Sequence, residues 1–278
     1  MRKTLPLPIL SAAGGIIACL LRFLQNRYGF ETDTGLPLIS SPFSVILPCF
    51  LLLVAALIAA LCFRLPNEAG DSPHSFAQLF SSSNTAAVML AVAGIFLWGI
   101  AGAYGIFTMV RGGQDIYISS AAGLFYPLSG TMRRIHIIFS ALLAASAICL
   151  LPAAAASRPS HRSRHVSGNL LLLPVVYLIL RLILSYREMS INASQQTYYV
   201  ELLALVMLTL SLFRLSSFAF LCGNTRRFAL YSSLTAVMCI AALADAATLS
   251  DRLFYGGGCF LTLGFLLLRL TAEVPTET

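Results

Sequence analysis

The sequence predicts an all-α, polytopic integral membrane protein, a bundle of about eight transmembrane helices that forms one domain over residues 1–278. Hydrophobic residues make up 58% of the chain, charged residues only 10%, and the mean hydropathy is +0.84. The apolar runs reach about 18 residues or more, the length that crosses the hydrocarbon core as a helix. Lipid offers the backbone no hydrogen-bond partners, so long continuous runs select helices.

The apolar runs are separated by polar, basic or proline-containing connections. The first run follows Arg2 and Lys3 and stays apolar through Leu24, so we expect a retained helix and not a cleaved signal peptide. The sixth and seventh runs are joined by the short polar turn 223–227, which predicts a hairpin of neighbouring helices. The predicted helices cover residues 6–24, 43–63, 85–107, 135–156, 169–186, 199–222, 228–249 and 253–270.

The third run is rich in small residues. Gly94, Gly99, Gly102 and Gly105 recur along it, and glycines at a helix surface let a neighbouring helix approach closely in the membrane. Trp98 lies among these glycines. We therefore expect Trp98 to pack inside the bundle and not to anchor the chain at the membrane interface.

The segment 115–128 does not fit the helical pattern. It is too apolar for a solvated loop and too short to span the membrane, which predicts an interfacial or re-entrant segment. Tyr117 and Tyr126 would then lie at the depth of the lipid headgroups. Non-helical backbone inside the membrane persists only where it is buried in protein or faces water, so a re-entrant segment would line a cavity.

The positive charge of the chain is explained by membrane topology. The net charge is +7, and the 18 basic residues are all arginine except Lys3. They gather near the ends of the runs and form no basic face with interleaved aromatics, so we expect membrane lipids as partners and no nucleic acid. The basic loops 157–168 and 223–227 lie on the cytoplasmic side if the N-terminus does. We expect the protein to lie in a cell membrane, which we interpret as a bacterial inner membrane, with both termini in the cytoplasm.

Chemical signatures of catalysis or metal binding are missing from the sequence. The seven cysteines form no C-x-x-C pair, and the four histidines do not cluster with them. No histidine lies at mid-helix depth to serve as a base for an intramembrane serine, and no H-E-x-x-H pattern occurs. We therefore predict no catalytic residue, no metal and no cofactor, and a role other than enzyme is favoured.

Five ionisable residues interrupt the apolar runs and are the candidate ligand-binding residues. A helix rises about 1.5 Å per residue, so the position of each residue in its run gives its depth. Four of them fall in one layer at the outer side, while the fifth lies nearer the inner side. We expect the four to frame an outward-facing charged pocket. The five residues are Arg22, Arg181, Glu201, Asp245 and, nearer the inner side, Arg214.

Two functions are compatible with these charges. A small-solute transporter or a membrane solute-binding protein would use the charged pocket to hold a small polar solute. Alternatively, a non-transporting sensor or assembly subunit would use buried charges to join helices and to contact a membrane protein partner. Arginines near helix ends also reach water by extending their side chains, and Asp245 could mark an early end of its helix.

Overall fold

The computed structural model describes residues 6–31, 38, 41–65, 75–111, 117–119, 125–127, 130–158, 166–190 and 199–272. Within these ranges the chain forms eight long helices, one short helix and one pair of short strands. The elements are α1 (Pro6–Tyr28), α2 (Phe43–Phe63), α3 (Phe76–Phe80), α4 (Thr85–Arg111), β1 (Tyr117–Ser119), β2 (Phe125–Pro127), α5 (Gly130–Ala156), α6 (Gly168–Ser190), α7 (Tyr199–Ala219), α8 (Thr225–Ala242) and α9 (Leu249–Thr271).

The predicted fold class is confirmed: the protein is a polytopic bundle of membrane helices. Among the described residues, seven helices are long and apolar enough to cross a membrane, namely α1, α2, α4, α5, α6, α7 and α9. The remaining long helix, α8, has 18 residues and packs against α1, α2, α7 and α9. Each of the eight long helices corresponds to one of the eight predicted runs.

Helix α8 is more polar than its neighbours because protein surrounds it. Ser232 and Thr235 of α8 are fully buried. The Ser232 and Ser211 hydroxyls lie 2.9 Å apart and join α8 to α7, while Thr235 Oγ1 donates to the Tyr231 carbonyl at 2.7 Å. Hydroxyls of this kind are tolerated at helix contacts in a membrane because their hydrogen bonds are made within the bundle.

The glycine-rich helix α4 packs closely against α9. A Cβ on Gly94 would collide with the backbone of Gly257 and Leu261, so the two helices approach backbone to backbone there. Trp98 is fully buried, and its Nε1 donates to the Phe254 carbonyl at 2.9 Å. Both predictions for this run, the close helix contact and the packing of Trp98 inside the bundle, are confirmed.

The boundary between α8 and α9 differs from the predicted one. Helix α8 ends at Ala242, whereas the apolar run continues to position 249, and the intervening chain forms a turn that carries Asp245. Helix α9 begins after Thr248, whose Oγ1 accepts a hydrogen bond from the Asp251 amide at 3.1 Å. The early end follows from the charge of Asp245, which is bound by Arg22 outside the helical segment.

Part of the segment 115–128 forms a β-ribbon. Strands β1 and β2 pair antiparallel, with Tyr117 opposite Pro127 and Ile118 opposite Tyr126. The other residues of the segment lie outside the described residues. The interfacial or re-entrant placement stays a prediction, although the paired strands are non-helical backbone as that prediction requires.

Arginines lie at both ends of the bundle, but the described acidic residues lie at only one. At one end, here called the ion-pair end, α1, α4, α6 and α8 finish and α2, α5, α7 and α9 begin. It holds all of the acidic residues whose side chains are described, namely Glu31, Glu201, Asp245 and Asp251. At the other end, here called the basic end, the described residues include no Asp or Glu but six arginines: Arg64, Arg158, Arg214, Arg226, Arg227 and Arg269.

Candidate functional site

Arg22 is the centre of the first cluster at the ion-pair end. Its side chain is fully buried, and Nε lies 2.9 Å from Asp245 Oδ1 and 3.0 Å from Oδ2. A second nitrogen, Nη1, donates to Gln25 Oε1 at 2.8 Å, and the guanidinium lies 5.2 Å from the ring centre of Tyr199. Asn26 Nδ2 also donates to Asp245 Oδ1, at 2.7 Å. These charge-assisted hydrogen bonds join α1 to the connection between α8 and α9.

The Asp245 carboxyl depends on this arginine. Asp245 lies in the turn after α8, outside the spanning segments. Burial raises the pKa of its carboxyl above the ordinary value, while the Arg22 guanidinium and the hydrogen bond from Asn26 lower it. Since burial disfavours the charged form and a nearby cation favours it, the ionised carboxylate is stabilised here by its contact with Arg22.

Arg181 is the centre of the second cluster. Its Nη2 lies 2.9 Å from Asp251 Oδ1, and Nη1 donates to the Tyr177 hydroxyl at 3.1 Å. The guanidinium lies over the ring of Phe254, 3.9 Å from the ring centre, a favourable cation–π contact. Asp251 accepts a further hydrogen bond of 2.6 Å from the Thr248 hydroxyl. The ion pair therefore joins α6 to the first turn of α9.

Glu201 lies between the two clusters. It belongs to the first turn of α7, where the helix dipole favours a negative side chain. Its Oε1 accepts a hydrogen bond of 2.9 Å from the Tyr255 hydroxyl of α9. The Glu201 carboxyl also interacts electrostatically with Arg181, which is 5.9 Å from the Tyr255 ring. Glu201 thus connects α7 to the α6–α9 cluster.

The predicted site residues therefore fall into three places. Arg22 and Asp245 bind each other directly, and Arg181 and Glu201 belong to the adjacent cluster around Asp251 and Tyr255. Arg214 lies at the basic end, where its guanidinium is near the rings of Phe213 and Tyr231. An open pocket formed by the four charges of the ion-pair end stays a prediction, because the described contacts are between these side chains and partners in the chain.

Two residues of the second cluster were missed from the sequence. Asp251 follows Thr248 by three residues, which is the spacing of a helix N-cap with an acidic residue in the first turn. That spacing was the available signal for Asp251. Tyr255 lies one turn further along α9 and points to Glu201. An aromatic residue in an apolar run carries no such signal, so the position of Tyr255 required the packed structure.

Arg269, near the end of α9, is almost completely buried. At the basic end its Nε and Nη2 donate to Thr225 Oγ1 at 3.0 and 2.7 Å, and its Nη1 donates to the Leu79 carbonyl at 3.2 Å. These contacts join α9 to α8 and to the short helix α3. Arg269 therefore has a structural role in the bundle.

A groove next to the Arg22 cluster was not indicated by the sequence. Helix α2 packs on α1 and α8, while α7 packs on α6, α8 and α9, and a cavity of about 830 Å³ lies between α2 and α7 over α8. None of its described lining residues is charged. They are Gln25, Ser44, Pro48, Leu51, Leu52, Val54, Ala55, Tyr186, Tyr199, Leu202, Leu203, Met207, Leu234, Val237 and Met238.

The polar groups of this groove are gathered at the ion-pair end. Gln25, Ser44, Tyr186 and Tyr199 lie there, and the rest of the lining is apolar. The Tyr199 hydroxyl donates a long hydrogen bond of 3.5 Å to Gln25 Oε1, so the polar end of the groove touches the Arg22 cluster. Ser44 Oγ has no hydrogen-bond partner among the described residues. The groove can therefore hold an apolar chain and offer uncharged hydrogen-bonding groups to a polar head.

Comparison of the chain with models of known protein families, with curated proteins and with solved structures finds no match. Within the part of the chain that the structure describes, no three His, Cys, Asp or Glu side chains are grouped closely enough to hold a metal ion. Evidence for a function therefore comes from the groove and from the charged clusters of this chain.

Proposed function

We propose that the protein binds a membrane amphiphile with one long apolar chain and an uncharged polar head, which enters the α2–α7 groove laterally from the bilayer. The observation that carries the proposal is the cavity of about 830 Å³, apolar along its length and polar at one end. Small-molecule sites generally enclose about 300–1,000 Å³ with a few polar groups that fix orientation. Gln25, Ser44 and Tyr199 supply those groups here.

An amphiphile fits this groove better than a small polar solute does. A polar solute would leave its hydrogen bonds unmade along the leucine-rich walls, and the nearby charges of Arg22 and Asp245 already bind each other. Lipid chains are as apolar as leucine, so transfer of a chain from the bilayer gains little from the hydrophobic effect. Selectivity would come from packing along the groove and from hydrogen bonds at its polar end.

The expected orientation is part of the proposal. The basic end would face the cytoplasm of a bacterial inner membrane, and the ion-pair end would face outwards. The short basic loops 157–168 and 223–227 at this end support the orientation, because arginines accumulate in short loops on the cytoplasmic side of membrane proteins. Since α1 begins and α9 finishes at the basic end, both termini would then be cytoplasmic. Single cysteines replacing Leu249 and Arg158 should react with an impermeant reagent from outside only at position 249.

A second role for the charged residues is supported by their contacts. The ion pairs Arg22–Asp245 and Arg181–Asp251 each join a helix to the start of α9 or to the turn before it. Such pairs serve helix assembly, as in the alternative of a non-transporting membrane subunit. Transport stays a prediction from the sequence, because a binding groove alone supplies no step that moves a solute across the membrane.

Filling the groove tests the proposal. Ala55 lines the cavity, whereas its neighbour Ala56 is exposed on the surface of α2. The probe is a photoactivatable monoacylglycerol, which has one acyl chain and an uncharged head, added to the full chain in detergent. We expect crosslinks to peptides of α2 and α7, lost in Ala55→Phe and retained in Ala56→Phe.

Other results would overturn the proposal. Crosslinking of Ala55→Phe at the level of the unmodified protein would show that the probe binds elsewhere. A photoactivatable fatty acid of the same chain length tests the preference for an uncharged head group. Its carboxylate would meet no cation among the described lining residues of the groove. Stronger labelling by the fatty acid than by the monoacylglycerol would reject the uncharged head.

A further inference from the structure

Arg214 lies at the border between the α7–α8 contact and the surrounding lipid. It is five residues before Ala219, the end of α7, which places it about 7.5 Å from the end of the helix. Its guanidinium is 5.9 Å from the ring centre of Tyr231 on α8 and 5.8 Å from that of Phe213. Phe213 is 46% exposed, so this face of α7 is open to lipid.

The guanidinium of Arg214 makes only ring contacts within the described part of the chain. Its Nε is buried and has no hydrogen-bond acceptor there. By contrast, Arg22, Arg181 and Arg269 all donate to oxygen atoms of the protein. An arginine stays charged and carries five N–H donors, and a buried donor without an acceptor is costly. The terminal Nη1 and Nη2 are not among the buried, unpartnered atoms, so an acceptor from outside the chain would bind these two nitrogens and not Nε.

The surroundings of Arg214 favour an anionic acceptor. The described residues at the basic end include no Asp or Glu. Arg227 is exposed and lies four residues before Tyr231 on α8, so it shares the helix face that Tyr231 presents to Arg214. Two arginines and a tyrosine hydroxyl are thus available on neighbouring helices at the edge of the lipid-exposed surface.

We infer that Arg214, Tyr231 and Arg227 bind the phosphate of an anionic phospholipid. A guanidinium matches phosphate oxygens with parallel hydrogen bonds, and the tyrosine hydroxyl adds a third donor. A lipid is favoured over a soluble anion because Arg214 lies below the end of its helix, at a depth that a headgroup can reach, beside the exposed ring of Phe213. The site is at the opposite end of the bundle from Gln25 and does not rest on the α2–α7 groove.

Native mass spectrometry of the full chain in detergent tests the site. Phosphatidylglycerol, phosphatidylcholine and inorganic phosphate are added separately, and retained molecules are counted. We expect one phosphatidylglycerol per chain to be retained preferentially, and Arg214→Gln to weaken it at least about tenfold, as the loss of a charge-assisted hydrogen bond predicts. Arg214→Lys should weaken it less, because lysine keeps the charge but not the planar fork.

Substitution of two exposed arginines, one in the proposed site and one outside it, distinguishes loss of lipid binding from loss of folding. Arg227→Gln removes a proposed ligand, whereas Arg64→Gln removes an exposed arginine that follows α2 at the same end. Both residues are exposed, so both variants should fold. We expect Arg227→Gln to weaken phosphatidylglycerol retention severalfold and Arg64→Gln to change it by less than about twofold, since only Arg227 shares the face of Tyr231.

Three results would overturn the inference. Unchanged retention of phosphatidylglycerol in both Arg214→Gln and Arg227→Gln would show that these residues do not bind the lipid. Equal losses in Arg64→Gln and Arg227→Gln would indicate diffuse attraction to a basic surface. Competition by inorganic phosphate at concentrations equal to those of phosphatidylglycerol would indicate a soluble anion in place of a lipid.

Discussion

Arginine side chains enter the bundle at both of its ends, and their partners differ. At the ion-pair end, Arg22 and Arg181 bind the carboxylates of Asp245 and Asp251. At the basic end, Arg269 binds uncharged oxygens of Thr225 and Leu79, and Arg214 lies against aromatic rings. Among the described residues, carboxylates thus bind arginines at one end, whereas the arginines named here at the other end contact hydroxyl, carbonyl and aromatic groups.

The difference indicates how each end depends on its surroundings. A buried ion pair needs both partners, because removal of one leaves an uncompensated charge in a medium of low dielectric constant. Where an arginine binds uncharged oxygens, its removal leaves hydrogen-bond acceptors without a donor, and this costs less free energy than an unpaired buried charge. The buried Arg22–Asp245 pair should therefore be the most sensitive to single substitutions, and the more exposed Arg181–Asp251 pair less so. The basic end should be sensitive to the lipid composition.

Arg22→Leu should have the largest effect. It leaves the Asp245 carboxylate buried without its cation, and breaking a buried pair in this way costs about 3–5 kcal/mol. The measurement is the free energy of unfolding in detergent. The double variant Arg22→Leu, Asp245→Leu should recover much of the loss, because no uncompensated charge remains. A double variant as unstable as the single one would contradict this account.

Lower pH should partly rescue Arg22→Leu. Burial already raises the pKa of Asp245, and loss of Arg22 removes the main influence that lowers it. The folded state then binds a proton that the unfolded state has released, so the stability of the variant should fall as pH rises above the unfolded value of about 3.9 and recover as pH decreases. Replacing Asp245 by Leu in the same background should abolish this dependence.

Arg269→Met at the basic end should cost about 2 kcal/mol, less than the loss of Arg22. The methionine fills much of the space, and the lost partners are the Thr225 hydroxyl and the Leu79 carbonyl. The same unfolding measurement applies, and little pH dependence is expected because neither of these two described partners is a carboxylate. A loss as large as that of Arg22→Leu would erase the contrast between the two ends.

Arg181→Gln should have the smallest effect of the three, about 1 kcal/mol. The Arg181 and Asp251 side chains retain 17% and 31% exposure, so water reaches the carboxylate that loses its partner. Arg181→Lys, which keeps the charge, should lose less. A destabilisation by Arg181→Gln equal to that by Arg22→Leu would mean that exposure does not separate the two ion pairs.

Local chemistry was enough to predict the helices. A continuous apolar run in lipid forms a helix, so the eight long helices could be located. Gly94 and Trp98 indicated a close helix contact, although not that α9 is the partner. The early end of α8 was one of two alternatives, because Asp245 could mark it while Ala246 and Ala247 continue the apolar composition, and the structure confirms the early end. The partner of Asp245 was not predictable, because Arg22 lies far away in the sequence.

The depth of the charged residues in the bundle was predictable from the sequence, but the ion pairs that they form were not. About 1.5 Å of rise per residue placed Arg22, Arg181, Glu201 and Asp245 at one level. Which of them meet depends on the rotation of each helix and on the identity of its neighbours, and these follow from side-chain packing across the bundle. Arg22 thus pairs with Asp245, while Arg181 pairs with Asp251, which was not among the predicted residues.

The sequence by itself determined that the chain is a bundle of membrane helices and at which depth its charges lie, because both follow from the one-dimensional pattern of apolar residues in lipid. The tertiary structure alone decided the partners of Glu201 and Arg269 and the groove between α2 and α7. A groove lined by leucines has the same composition as a lipid-facing helix surface, so only the arrangement of α2, α7 and α8 distinguishes the groove from a surface that faces the bilayer.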